Sequence, residues 1–347
     1  MDLAFIQRLS EPNEKKILLF VMDGLGGLPV VPDGSTALEV AETPNLDRLA
    51  AESVCGLHLP IASGITSGSG PAHLALFGYN PLEYQIGRGT LSALGIDFNL
   101  QPHDVAARGN FCTLGDDGRV ADRRAGRIPT EKNKELCELL REIKLPGVDV
   151  FVETIKDYRL LLVLRGEGLS GDLQDTDPQD IGEKPLEPKP FTNHAEKTSE
   201  LVKEFIEKAR QILSDHHPAN MILLRGFSQL PDWPSFEQAY KLRAAAIAAY
   251  PMYRGVAKLV GMDVLDTGKT LDAGVETLEE HWPEYDYFFL HFKPIDSAGE
   301  DGDFDRKVSL IEEADVVIPR LRALDPDVVV VTGDHSSPAL LKSHSWH

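Results

Sequence analysis

The residues with the clearest chemical reach are an acid and an imidazole side by side, Asp334 and His335, in VVVVTGDHSSP, Val328 to Pro338. The valines ahead of them read as a fully buried strand of a parallel sheet. Polar groups just past the carboxyl end of such a strand lie where open α/β sheets bind ligands. A second apolar run, KILLFVM from Lys16 to Met22, delivers Asp23 into the turn of Gly24, Gly26 and Gly27 in the same way. For Asp334 alone, a helix-capping acid beside a surface His competes on even terms. Two carboxylates at two strand ends, one with a His neighbour, tip the balance toward a cation held at one sheet edge.

A third strand end carries HFKPIDSAGEDGDFDRK, in which Asp296 and Glu300 are four apart, so one helical turn or a tight loop can aim both at one cation. A calcium loop starting at Asp301 fails, because Arg306 stands where that loop needs Gly and Val308, Ile311, Ile318 and Leu321 follow helical spacing. Ser69, in GITSGSGPAHLALFGYNP, is the candidate nucleophile and the expected N-cap of a helix over Pro71 to Phe77. A serine hydroxyl is weak at neutral pH unless a base or metal deprotonates it, and a helix N-terminus adds amide donors for oxyanions. GSGPAH is not GxSxG, and GITSGSG lacks the GK[ST] of a P-loop, so a metal is the expected activator; a purely capping Ser69 is the competing reading. His73, one turn on, reads as a packing or supporting His and is kept among candidate substrate contacts, as is Arg254 near Tyr250 and Pro251. His344 and His347 are three apart and can face one metal, whereas His216 and His217 at a helix end are surface residues.

The remaining composition bounds the function. A net charge of -20, from 35 basic and 55 acidic residues, argues against nucleic-acid binding and against anionic membranes. An acidic chain that takes an anionic substrate needs local arginines or cations, and Arg123, Arg124 and Arg127 form one such cluster. The three cysteines, Cys55, Cys112 and Cys137, have no pairing pattern, there is no apolar signal or membrane span, and a reducing cytoplasm is expected. The chain stops at Ser343 to His347 with no closing element after the ligand-rich segment, which reads as a truncated sequence.

These residues need a scaffold of strands and helices in alternation. The pattern predicts strands over Ile17 to Met22, Tyr285 to Phe292 and Val328 to Thr332. It predicts helices from Thr43 and Pro44, near Val256 and Leu271, and over Phe304 to Leu324. From about Asp97 the pattern shifts to short strands with a turn at Gly115 to Gly118, a helix over Glu131 to Ile143, and strands at Val148 to Glu153 and Tyr158 to Leu164. A long loop over Gly166 to Pro190, a helix over Ala195 to Leu213, a strand at Met221 to Leu224 and an alanine-rich helix ending near Tyr250 follow. The expected fold class is α/β, a mostly parallel sheet flanked by helices with an inserted α+β domain. The expected division is a discontinuous domain, 1–96 with 255–347, split by an insertion over 97–254.

Taken in order, MDGLGG, TPNLDRLA, TSGSGPAHLALFGYNP, RGNFCT, DRRAGRI, DSAGEDGDFDRK and TGDHSSP resemble the cofactor-independent phosphoglycerate mutases of the archaeal type, within the alkaline phosphatase superfamily. The resemblance covers nearly the whole chain and implies an alkaline-phosphatase-like fold and a small phosphorylated substrate. It implies that Ser69 is transiently phosphorylated, that Asp23, Ser69, Asp334 and His335 hold one divalent metal, and that Asp296 and His344 hold the other. Glu300 stands where the wider superfamily has His in a DxxxH arrangement; a carboxylate can still ligate manganese, the expected ion, or magnesium or zinc. His344 is favoured over His347 by its spacing. Arg123, Arg124 and Arg127 are implied to line an interdomain cleft and to hold substrate phosphate or carboxylate. The implied reaction passes the phosphoryl group of 3-phosphoglycerate to Ser69 and back to the other hydroxyl of the retained glycerate, giving 2-phosphoglycerate, while the inserted domain shuts water out. A metal-dependent phosphohydrolase or phosphonate-processing enzyme is the alternative, and a catalytically dead binding protein is a third reading.

Overall fold

The computed structural model describes residues 3–346, so His347 lies outside the described residues. Ten strands form among them: β1 Ile17–Met22, β2 Val105–Leu114, β3 Val120–Asp122, β4 Asp149–Lys156, β5 Arg159–Arg165, β6 Met221–Ser228, β7 Ala244–Ile247, β8 Asp263–Val264, β9 Tyr287–Phe292 and β10 Val328–Thr332. The chain divides into two units, Met1–Gln85 with Trp233–His347 and Ile86–Asp232. Both divisions fall earlier than the 96/97 and 254/255 drawn from the pattern. The helix Arg88–Gly95 packs on β2, β5 and β6 of the second unit, and β7 belongs to the sheet of the first.

The first unit is built on a parallel sheet ordered β10, β1, β9, β7, β8. Strands β1 and β9 are apolar almost throughout and are buried on both faces, as parallel strands beneath helices must be. Register does the positioning: Val21 pairs with Thr332 on one side and His291 on the other, and Met22 pairs with Phe292. Asp23, Lys293 and the Gly333 to His335 turn therefore leave the sheet at one edge. The helices Leu271–His281 and Phe304–Ala323 bury Leu271, Val275, Leu278, Ile311, Ala314, Val317 and Ile318 against Leu18, Phe20, Phe288 and Leu290, which fixes the sheet beneath that edge. No helix among the described residues is long and apolar enough to cross a membrane.

One predicted element is overturned. The stretch read as an alanine-rich helix contains β7, whose Ala244–Ile247 residues are all buried between β9 and β8. The helix preference of alanine is worth only tenths of a kcal/mol per residue, and a slot in the middle of a parallel sheet outweighs it. Small side chains also suit the close approach of the covering helix, where a Cβ on Gly274 would lie 3.2 Å from Leu290 Cδ1 and 3.7 Å from Ile247 Cγ2.

The second unit carries an antiparallel sheet in which β3 and β6 both pair with β2, and β5 joins β2 to β4. The helices Thr130–Arg141 and Glu196–Leu213 cover it through Leu136, Leu140, Val202, Phe205 and Ala209. The stretch 166–190 is a long loop tied at Leu173 and Pro190.

Candidate metal centre

All the residues predicted to hold cations lie on the first unit, at the carboxyl edge of its parallel sheet. Asp23 follows β1, Asp334 and His335 follow β10, and Asp296 and Glu300 lie one turn apart on the helix Pro294–Asp301 after β9. Ser69 begins the helix Ser69–Leu76. Gly68 is the N-cap of that helix, so Ser69 is its first residue and not the predicted cap; its hydroxyl makes no cap bond and is left to face His335. Two groups emerge, Asp23 with Asp334 and His335, and Asp296 with His335 and His344, with the ligand atoms of each within 4.8 Å of one another. His335 is shared. Ser69 Oγ lies 3.2 Å from His335 Nε2, which is 3.5 Å from Asp23 Oδ1 and 3.2 Å from Asp334 Oδ2.

The donor set suits a divalent cation. Asp23 and Asp334 are wholly buried, yet Asp23 Oδ1 and Asp334 Oδ2 have no hydrogen-bond partner among the described residues. A buried unpartnered carboxylate oxygen is costly, and a cation between the two oxygens removes the cost. The remaining oxygens are occupied: Gly24 N donates to Asp334 Oδ1 at 2.9 Å, and His291 Nε2 lies 3.1 Å from Asp23 Oδ2. Burial pushes the Asp334 carboxyl far up and the Asp23 charge adds to this; burial opposes ionisation of Asp23 too, but His291 and Lys293 outweigh it and hold Asp23 low. Burial also pushes the His335 imidazole down to about 4, leaving it neutral and able to ligate at physiological pH.

The second group is wetter. His344 Nε2 lies 3.4 Å from Asp296 Oδ1 and 3.6 Å from Glu300 Oε1, and the Glu300 side chain is 51% exposed. Glu300 thus faces His344 and Asp296 from the next helical turn, where it can join this group. Both Asp296 oxygens are already engaged, Oδ1 by the Ser337 hydroxyl and Oδ2 by the Lys293 ammonium. Burial lowers the affinity of His344 for a proton, but the Asp296 carboxylate more than compensates and its pKa rises.

His73 takes a different place from the one expected among substrate contacts. It is wholly buried behind Ser69, with Nδ1 2.8 Å from Ser69 O, and is packed against Tyr253, Phe289 and His291. With no surface open to a ligand, it supports the first helical turn, and burial pushes its pKa down to about 3. Arg254 pairs with Asp266 at 3.2 Å. In the second unit, Arg123 makes a bidentate pair with Asp177, Arg124 N donates to Asp122, and Arg127 sits at the end of a short 3-10 turn. Sequence reasoning missed His291, Tyr253, Lys293, Lys307 and Ser337 around these two groups. It also missed Arg88, Arg108 and Arg225 in the second unit. Burial lowers the pKa of Arg88, with Arg225 adding repulsion, and pushes that of Arg108 down to about 10. The Nε atoms of Arg108 and Arg225 lack hydrogen-bond partners among the described residues. A usable signal existed for His291, a lone polar residue near the end of the apolar strand YFFLHF and two before Lys293.

Comparison with known proteins shows the family and the fold. Residues 50–220 match a family model described as 2,3-bisphosphoglycerate-independent phosphoglycerate mutase. An Aquifex aeolicus protein named "Probable 2,3-bisphosphoglycerate-independent phosphoglycerate mutase" is 51% identical over 99% of this chain and 86% of its own length. A Thermus thermophilus protein of the same name is 49% identical over 100% of this chain and 87% of its own. Among solved structures, the cofactor-independent phosphoglycerate mutase of Thermoplasma acidophilum is 30% identical, with a TM-score of 0.70 over 92% of this chain and 87% of that one. A Pyrococcus horikoshii protein reaches a TM-score of 0.80 at 31% identity, over 96% of this chain and 85% of that one. With about half its residues shared along nearly its whole length with these relatives, and a fold in common with the Thermoplasma enzyme, the chain belongs to the 2,3-bisphosphoglycerate-independent phosphoglycerate mutase family.

Proposed function

We propose that this chain is an isomerase that interconverts 3-phosphoglycerate and 2-phosphoglycerate through a phosphoserine at Ser69, without added 2,3-bisphosphoglycerate. The observation that carries the reading is the position of Ser69 Oγ, 3.2 Å from His335 Nε2 and beside two buried carboxylates whose free oxygens call for a cation. Divalent cations, manganese before magnesium or zinc, would acidify the serine hydroxyl and neutralise the oxygens of the transferring phosphoryl group. Asp23, Asp334, His335 and Ser69 would hold one, and Asp296, His344 and Glu300 the other.

Ser69 Oγ forms the new bond to phosphorus as the bond to the substrate oxygen breaks, and the proton given up by Ser69 ends on the released glycerate hydroxyl. The N-terminal end of the helix Ser69–Leu76, where the Ser69 and Gly70 amides lie, would favour the charge that develops there. The return step is the same displacement by the other hydroxyl of glycerate. Arg123, Arg124 and Arg127 are assigned to the anionic groups of the substrate. Arg88 and Arg108 join them as candidates, since a buried, mutually repelling pair of guanidiniums, with the Arg108 Nε unpartnered among the described residues, favours an anion, and Arg225 beside them already faces Asp175 and Asp177.

The test is conversion of 3-phosphoglycerate by the manganese-loaded protein, with the phosphorylated residue trapped and mapped. The expected result is 2-phosphoglycerate with label on Ser69, and loss of about a thousandfold or more in rate and of all label in S69A. Phosphate released faster than 2-phosphoglycerate is formed would make the protein a hydrolase. Label on another residue would reassign the nucleophile.

A further inference from the structure

Lys307 is the one buried lysine of the described core, 1% exposed, and it plays no part in the chemistry above. An ammonium has three donors and no acceptor, and burying it without partners is expensive. Here every donor is used, on Gly24 O at 2.8 Å, Gly26 O at 2.8 Å and Ser337 O at 2.9 Å. These carbonyls come from two loops. Gly24 and Gly26 directly follow Asp23, and Ser337 closely follows Asp334 and His335. The loops also meet each other, since Ser337 N donates to Gly26 O at 3.0 Å and Leu25 and Gly26 bridge to Ser336. The approach is close enough that a Cβ on Gly26 would lie 2.0 Å from Ser336 Oγ.

No carboxylate among the described residues comes within ion-pair distance of Lys307. Lys293 is the contrast: its ammonium pairs with Asp296 and lies 3.8 Å from Asp23 Oδ2, where it competes for the oxygens a cation needs. Lys307 reaches the same edge from the helix Phe304–Ala323, whose other face is locked into the core under the sheet. Its charge is spent on carbonyl dipoles, which leaves Asp23 Oδ1 and Asp334 Oδ2 open.

We propose that Lys307 is a positioning residue: by gathering the carbonyls of the two loops it sets the spacing of Asp23 against Asp334 and His335, and so assembles the buried cation group before any cation arrives. This rests on reading those three residues as ligands. Its test is a manganese titration, followed by electron paramagnetic resonance, of the whole protein and of K307M and K307Q, with thermal melting of each metal-free form.

In K307M the tighter class of manganese sites should weaken by about 10- to 100-fold, the range for partners that orient ligands. K307Q, which keeps two donors, should fall between. The weaker class, at Asp296 and His344, should keep its affinity. A general loosening of the fold would instead weaken both classes together. Tight binding in K307M equal to that of the unaltered protein overturns the inference, and failure of the unaltered protein to bind manganese overturns the ligand reading beneath it. If neither variant folds, the unaltered protein decides by nuclear magnetic resonance. The Lys307 ammonium must already be protected from water exchange without metal and must shift on addition of magnesium. An exchanging ammonium in the metal-free protein overturns the preassembly.

Discussion

The two candidate cation groups at the sheet edge share His335 and little else. Around Asp23 and Asp334 everything is buried, one oxygen of each carboxylate is fixed by the protein, and the other has no partner. Around Asp296 and His344 the site is partly open, Glu300 is half exposed, and Lys293 and Ser337 already occupy the carboxylate. The first group stores the cost of two buried acids until a cation arrives. The second is largely satisfied without one. A cation should therefore bind the first tightly and exchange slowly, and bind the second weakly because it must displace an ammonium.

The largest effect expected from this difference is in D334N. An amide removes the negative charge that faces Asp23 and offers only one oxygen, so the tight class of manganese sites should be lost, by about a hundredfold or more in affinity. Equilibrium dialysis with metal analysis measures it directly. Affinity in D334N within a factor of about three of the unaltered protein would erase the distinction between the groups. A smaller effect, of opposite sign, is expected from K293M. Without the ammonium on Asp296 Oδ2, the weak class should bind manganese about tenfold more tightly while the tight class changes less. Weaker binding at both would mean that Lys293 organises the edge instead of competing for it.

The tight group was more legible in the sequence than the wet one, for a physical reason. ILLFVM is a buried parallel strand, whereas VVVVT lies at the end of the sheet with Val328 and Val330 exposed and is not the fully buried strand its composition predicts; the ends of both can still be read from residue type, and both form over the predicted residues. The residue after such a strand is placed by the strand, so Asp23, Asp334 and His335 converge once register is fixed. The partners of those ligands were not legible. Lys307 reads as one more exposed charge on an amphipathic helix, and only the packing of that helix under two loops turns it inward. Tyr253 and His73 meet His291 across three elements, a contact that no local pattern encodes. The strand β7 was hidden by the helix preference of alanine, and Ser69 was misplaced by one position because a glycine caps its helix.

The smallest and most discriminating effect is the pH dependence of stability in the metal-free protein, where the buried imidazoles and the partly open His344 should show opposite signs. Burial pushes His335 down to about 4 and His73 down to about 3, whereas an unfolded His titrates near 6.5. Between those values the unfolded chain binds protons that the folded chain refuses. Stability is therefore fully present above pH ~6.5 and falls as the pH drops, with a limiting slope of about 1.4 kcal/mol per pH unit for each group. His344 runs the other way: its pKa is raised, chiefly by Asp296 against the effect of burial, so its contribution is present below the unfolded value and is lost as pH rises through the folded one. Asp334, raised by burial and by the Asp23 charge, also holds a proton more readily in the folded chain and so works with His344, and urea unfolding of single variants across pH 4 to 7 separates the two signs. H73F should lose less stability toward acid than the unaltered protein, and H344A should lose more. An acid slope unchanged in H73F would mean that His73 takes up a proton in the folded protein, and the dry environment assigned to the first group would have to be abandoned.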